Sequence, residues 1–292
     1  MCPDGVVYNL TVEPYNNYFA NGILVHNCKT ELFTEVVTTL TAAYRCGVTA
    51  TPERKDRLHC IVEDVMGPVV TVAEGEQLPI EWTWELTDHE VKDFANWSVM
   101  VNRLVRLKNR TKKIAQKVVE DVRAGHFVLV TTERLQHIDD LSDAIQTIDP
   151  DITVGRLTGK TKNRERFRED AKQGKFQVVV AMNKIVELGY NIPRWSCFHN
   201  TIPMTDPHNW YQRVSRIRTP FEPAFPGDHW DKPTPIARVW ADRGHPAIYA
   251  YRNIVKKKMD SLGFVCLTPE NHIRRGKRRG LVSFELEGDI DG

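Results

Sequence analysis

The chain has 292 residues, 41% of them hydrophobic and 27% charged, with a formal net charge of +2. That length can hold two ordinary domains with real cores, and the near-neutral balance excludes a bulk polyelectrolyte. The six cysteines form no C-x-x-C pair and show no His/Cys ligand spacing, so neither a disulfide framework nor a metal site is indicated. With no apolar run near membrane-span length and no signal peptide, a cytoplasmic protein is expected, with no membrane partner.

In chain order, residues 6–27 alternate apolar and polar positions between turn residues. Val7, Leu10, Val12, Phe19 and Ile23-Leu24-Val25 predict short strands, in a piece too small to bury a core by itself. From Cys28 the pattern predicts a helix over 32–40, a strand over 44–49, and short strands near 69–72 and 80–86. A long basic helix is expected over 98–124, ending at Gly125.

Strands and helices then alternate. Strands are expected at 127–132, 152–157, 176–181, 197–202 and 236–240, and helices at 134–147, 161–173, near 207–217 and at 246–261. Continuous apolar strands separated by amphipathic helices predict an α/β fold with a parallel sheet covered on both faces. From about Glu270 the chain turns basic, then acidic, and is expected to be a poorly ordered tail. Basic clusters at Arg103–Lys117 and Arg274–Arg279 read either as solvated faces or as contacts to a phosphate backbone.

Val25-His26-Asn27-Cys28 carries a specific chemistry. The Asn27 side-chain amide can attack its own backbone carbonyl, form a succinimide and cut the chain. That reaction needs near-attack geometry and a proton donor, a role that adjacent His26 suits. The Cys28 thiol can hold an acyl group and return it to a freed amine. The blocks VYNLTVE, YFANG and ILVHNC, within residues 6–28, resemble the C-terminal segment of inteins, which have the Hint fold. The resemblance implies that Asn27 cyclises, His26 assists, and Cys28 is the first residue of the C-extein. Two departures are visible. Asn16 stands where many inteins carry a helper His, and the N-terminal intein block with its own nucleophile is absent.

Three later motifs belong together by order and spacing. They are Thr49-Ala50-Thr51-Pro52-Glu53-Arg54, then Glu187-Leu188-Gly189-Tyr190-Asn191-Ile192-Pro193, then Asn209 through Pro220. Gln212 and several arginines on one helix make poor core, because unpaired guanidinium groups cost too much to bury. They suit a polyphosphate, which guanidinium forks bind in pairs. Over roughly 28–265 the chain resembles superfamily 2 helicases of the phage and archaeal DEAD/DEAH-like type. The resemblance implies that Thr49 and Thr51 form motif III, which couples the nucleotide and nucleic-acid sites. It places motif IV at Val128–Thr131, with Thr131 as a coupling residue, and a nucleic-acid-contacting turn at Leu157-Thr158-Gly159. Motif V runs from Ala181 to Asn191, with Gly189 and Asn191 toward ATP. Motif VI runs from Gln212 to Arg218, with Gln212, Arg213, Arg216 and Arg218 toward the ATP phosphates and Arg213 and Arg216 as the leading γ-phosphate contacts. Asn191 departs from the usual Asp of motif V, and Ser215 from the usual Gly of motif VI.

No Walker A loop or Asp-Glu-x-His box occurs. Gly159-Lys160-Thr161 imitates part of a Walker A but lacks the upstream glycine, since Val154 stands in its place. The organisation expected is therefore a C-terminal intein segment at 1–27, the end of a first RecA-like helicase domain at 28–92, a second RecA-like domain at 93–268, and a tail at 269–292. ATP and Mg²⁺ are expected only in an assembled helicase, and splicing needs no cofactor. The partners expected are an N-terminal helicase and intein half, and DNA or RNA. Two other readings stay open: a truncated fragment of one intein-containing helicase gene, and a nucleic-acid-binding module without splicing or ATPase activity.

Overall fold

The computed structural model describes residues 17–20, 23–26, 39, 67, 76–91, 94, 96–187, 190–203, 206–244, 246–268, 274–278 and 281–285. The chain divides into two compact units, Met1–Gly75 and Glu76–Gly292. In the first, β1 (Asn17–Ala20) and β2 (Ile23–His26) form an antiparallel hairpin with Ala20 opposite Ile23 and Asn17 opposite His26. The Asn21-Gly22 pair between the strands has the composition of a tight hairpin turn. The elements expected over 32–40, 44–49 and 69–72 lie outside the described residues, apart from helical Thr39.

The second unit is built on a seven-stranded sheet in the order β5-β6-β4-β7-β8-β3-β9, parallel at every pairing. In chain order it contains β3 (Glu81–Glu90), α1 (Trp97–Val105), α2 (Lys108–Arg123), β4 (Val128–Thr132), α3 (Leu135–Ile148), β5 (Val154–Leu157), α4 (Arg164–Lys172), β6 (Val178–Met182) and α5 (Asn183–Glu187). There follow β7 (Cys197–Asn200), α6 (Pro207–Val214), a 3₁₀ turn (Ser215–Ile217), β8 (Ile236–Arg243), α7 (Pro246–Ser261) and β9 (Val265–Cys266). A final hairpin pairs β10 (Arg274–Arg278) with β11 (Leu281–Glu285).

Alternation along the strands divides the core into two layers. Val128, Val130, Val178 and Val180 face one cluster with Ile114, Val118, Ile138, Leu141 and Ile145 of α2 and α3. Leu129, Val179 and Ala181 face the other, with Trp210 and Val214 of α6 and Tyr251, Val255 and Met259 of α7.

Three expectations change. Residues 81–90, assigned by sequence to the end of a first domain, form β3 of the seven-stranded sheet and pair with β8, so this sheet begins well before residue 93. The helix expected over 98–124 is two. Asn96 caps α1 by accepting from the Val99 amide, and the chain extends at Leu107 before α2 begins. The break lets Met100, Val101 and Leu104 pack with Val91, Ile202 and Ile248, while α2 serves a different layer. The tail expected to lack order contains the β10–β11 pairing, in which the apolar–polar alternation of Val282-Ser283-Phe284-Glu285 supplies a strand pattern that its charged surroundings hide.

Candidate nucleotide and nucleic-acid site

Thr131, Thr158 and Gly159 lie at or just past the ends of parallel strands, and Gln212 to Arg218 span the end of α6 and its 3₁₀ turn. Thr131, next to last in β4, is fully buried. Its hydroxyl donates to Asn200 Oδ1 at 3.4 Å, and its carbonyl accepts from the Thr201 amide and hydroxyl. Arg213, only 4% exposed, donates from Nη1 to the same Asn200 Oδ1 at 3.4 Å. The Asn200 amide nitrogen in turn donates to the Ile202 carbonyl and the Tyr251 hydroxyl. Burial raises the Tyr251 pKa above the ordinary tyrosine value. Thr131 and Arg213 thus meet on one asparagine inside the domain.

Helix α6 tightens into a 3₁₀ turn at Ser215–Ile217, so its final residues leave the helix face at a new angle. Trp210, Val214 and Ile217 fill the core, and Gln212, Arg216 and Arg218 are left half-buried. Arg218 is anchored: Nε donates to the Leu78 carbonyl at 3.1 Å, its backbone carbonyl accepts from the Leu78 amide, and its guanidinium lies 4.9 Å from the centre of the Phe264 ring. Arg216 sits between the core-bound Arg213 and the anchored Arg218. Asn191 is exposed, and its Oδ1 accepts from the Thr219 hydroxyl at 2.9 Å, which brings it against the residue that follows Arg218.

The turn after β5 is built by its own side chains. The Thr158 amide donates to Thr161 Oγ1, the Lys160 amide to Thr158 Oγ1, and Arg164 Nη2 to the Gly159 carbonyl. Gly159 and Lys160 are exposed at its tip, and a Cβ on Gly159 would meet nothing within 4 Å. Asn163, in the left-handed region at φ 48°, then caps α4 by accepting from the Arg166 amide. Asn27, Cys28, Thr49, Thr51 and Gly189 lie outside the described residues, and of His26 only the backbone, the last residue of β2, is described.

A buried cluster escaped the sequence reading. Asp121, Cys197 and His199 bring ligand-type atoms within 4.8 Å of one another. Their surroundings argue for a structural network and against a metal. Trp240 Nε1–H donates to His199 Nδ1 at 3.3 Å, which puts the ring proton on Nε2, 2.9 Å from Asp121 Oδ2. A metal on Nε2 would need that proton on Nδ1, facing another donor. Arg238 holds both Asp121 oxygens and also reaches Thr83 and Glu85. Hydrogen bonds from His199 and Arg238 outweigh burial and hold the Asp121 carboxyl well below the usual range, while burial pushes the Cys197 thiol well up. Removing one partner of such a buried network costs on the order of 3–5 kcal/mol. Residue type alone could not reveal it, because α2, β7, β8 and β3 supply its members from positions far apart in the chain.

The chain is similar to known proteins over part of its length. The family model of the helicase conserved C-terminal domain matches residues 109–219. The chain is 23% identical over 191 residues to the probable helicase D10 of Escherichia phage T5, covering 59% of this chain and 39% of that relative, so it spans about two fifths of the relative's length. T4 UvsW shares the fold with a TM-score of 0.50 at 12% identity, over 65% of this chain and 41% of that one. A variant of S. cerevisiae Dbp5 bound to RNA and ADP–BeF3 does so with a TM-score of 0.50 at 12% identity, over 82% and 55%. The segment that matches the helicase conserved C-terminal domain holds β4–β7, the arginine turn and all but the first residue of α2. Among the described residues, no helix is long and apolar enough to cross a membrane.

Proposed function

We propose that this chain is the C-terminal part of an ATP-dependent superfamily 2 helicase or translocase, acting on DNA or RNA. Its first 27 residues would close an intein, and splicing at Asn27 and Cys28 would join it to a half carrying Walker A, the Asp-Glu-x-His box and the N-terminal intein. The observation that carries the helicase reading is the arginine turn, with Arg216 half-buried between Arg213 and Arg218 at the end of α6. An amide and guanidinium donor set fits the edge of a polyphosphate, so ATP suits these residues.

Bound ATP would supply the phosphoryl group, with Mg²⁺ held by the other half. Arg216 stabilises charge at the terminal phosphate, and Gln212 orients on the same edge. Arg213 works through Asn200, which also holds the end of β4, and Arg218 fixes the turn in place. Thr158 and Gly159 offer an exposed turn to a nucleic-acid backbone. The fold neighbour Dbp5, solved with RNA and ADP–BeF3, lends support to both ligand classes.

The splicing reading rests on the Val25-His26-Asn27-Cys28 run and on its intein-like blocks. Co-expression with the half encoded upstream, whether as a separate gene or in one frame, tests it by intact mass. The expected product lacks residues 1–27 and is joined at Cys28. Asn27→Ala and Cys28→Ala should give no ligated species, and His26→Ala should slow ligation by about 10²–10⁴-fold. Identical products from wild type and both variants would end the splicing reading and leave the helicase reading standing.

A further inference from the structure

Eighteen residues, 218–235, run between the 3₁₀ turn and β8 without helix or strand. Ordered connections of this length are uncommon in a compact domain and usually have a task. This one contains five prolines (220, 223, 226, 233 and 235), which reduce the freedom it loses on folding.

Its anchors are a buried ion pair and a half-buried lysine. Arg194, three residues past Asn191, donates from Nη2 to both Asp228 oxygens and from Nε to the Lys172 carbonyl at 2.9 Å. Both ends of that ion pair are nearly buried, at 6% and 7% side-chain exposure. The guanidinium is walled by Phe127, Phe221 and Trp230, with ring centres 4.9–5.8 Å away. Asp228 also accepts from the Ala224 amide, closing the loop on itself. The second anchor is Lys232. Its Nζ donates to the Pro193 carbonyl at 2.7 Å and to the Thr219 carbonyl at 2.6 Å. Pro193 follows motif V and Thr219 follows motif VI, so one ammonium ties the two motif ends together beside the Thr219–Asn191 hydrogen bond.

We infer that residues 219–235 form a clasp that holds the arginine turn against the end of motif V, with Lys232 as the positioning residue. This rests on the helicase reading for its purpose, although the clasp itself is a matter of geometry. A lysine with two backbone carbonyls as acceptors has no catalytic reach. Its reason to stay half-buried, where desolvation draws its pKa down to about 7, is the pair of chain segments it joins. Arg218, anchored to Leu78 on one side and joined to Thr219 on the other, carries that constraint into the turn holding Arg216.

The test uses Lys232→Met, Lys232→Gln and Lys232→Arg in the full chain and in the assembled protein. Hydrogen exchange of the full chain should speed at least about tenfold in 191–195 and 215–221 for Met and Gln, with β4 and β6 unchanged, and Lys232→Arg should restore most of the protection. In the assembled protein, kcat for ATP should fall about tenfold with KM within about twofold, again rescued by Arg. Unchanged exchange in both segments, or equal loosening of β4 and β6, would overturn the clasp. If the wild-type assembly hydrolyses no ATP, the helicase reading falls and the exchange arm alone decides the clasp.

Discussion

Single residues here differ sharply in what their surroundings allow. Arg213 and Arg216 share a motif, yet Arg213 is spent on Asn200 inside the domain while Arg216 is half-buried on the turn. Their substitution should therefore differ in kind: Arg213→Ala should loosen the ends of β4 and β7, whereas Arg216→Ala should bear on the proposed phosphate contact. His137 shows how burial becomes pH dependence. It is fully buried between the Thr111 and Thr132 hydroxyls, and burial, with Arg110 adding to it, lowers its pKa from 6.5 to about 3. As pH falls, the unfolded chain takes up this proton first, so His137 favours folding most above about pH 6.5 and progressively less down to about pH 3. Between pH 7 and 5 it should remove about 2 kcal/mol of stability. Urea unfolding at the two pH values checks this, and His137→Gln should flatten the difference by that amount even if it lowers stability at both.

At the level of elements, β5 is held by a glycine with no room to spare. A Cβ on Gly155 would come within 2.9 Å of Phe176 Cγ and 3.0 Å of Phe167 Cζ, two rings stacked 5.0 Å apart. Gly155→Ala should cost about 1–3 kcal/mol, read as a lower melting temperature, and an unchanged melting temperature would show that the ring pair can move aside. Strands β4 and β6 and helices α3 and α7 were legible in the sequence because runs such as Val178-Val179-Val180 are apolar on both faces and the helices between them are amphipathic. The boundary before β3 was not legible. Glu81, Thr83, Glu85 and Thr87 interrupt its apolar positions, and its place beside β8 follows from the partners Arg238 and Asp242, contributed about 155 residues later. The arginine turn was legible as a cluster. That Arg213 would turn inward was not, because Asn200 and Tyr251 become its surroundings only through the packing of α6 and α7.

At the scale of the whole molecule, a segment that matches the helicase conserved C-terminal domain follows a short segment that resembles inteins, and the proposed partner half would carry the phosphate loop and metal-binding acid. The clasp at 219–235 and the network around Asp121 concern how this chain keeps its shape, whereas Arg216 concerns the proposed activity. The most direct measurement is nucleic-acid-stimulated ATP hydrolysis by the assembled protein, with wild-type and Arg216→Ala versions of this chain. The account predicts hydrolysis that rises with DNA or RNA and a loss of about 10³-fold or more in kcat with Arg216→Ala, the scale of an arginine finger. Equal rates from the two versions would contradict it.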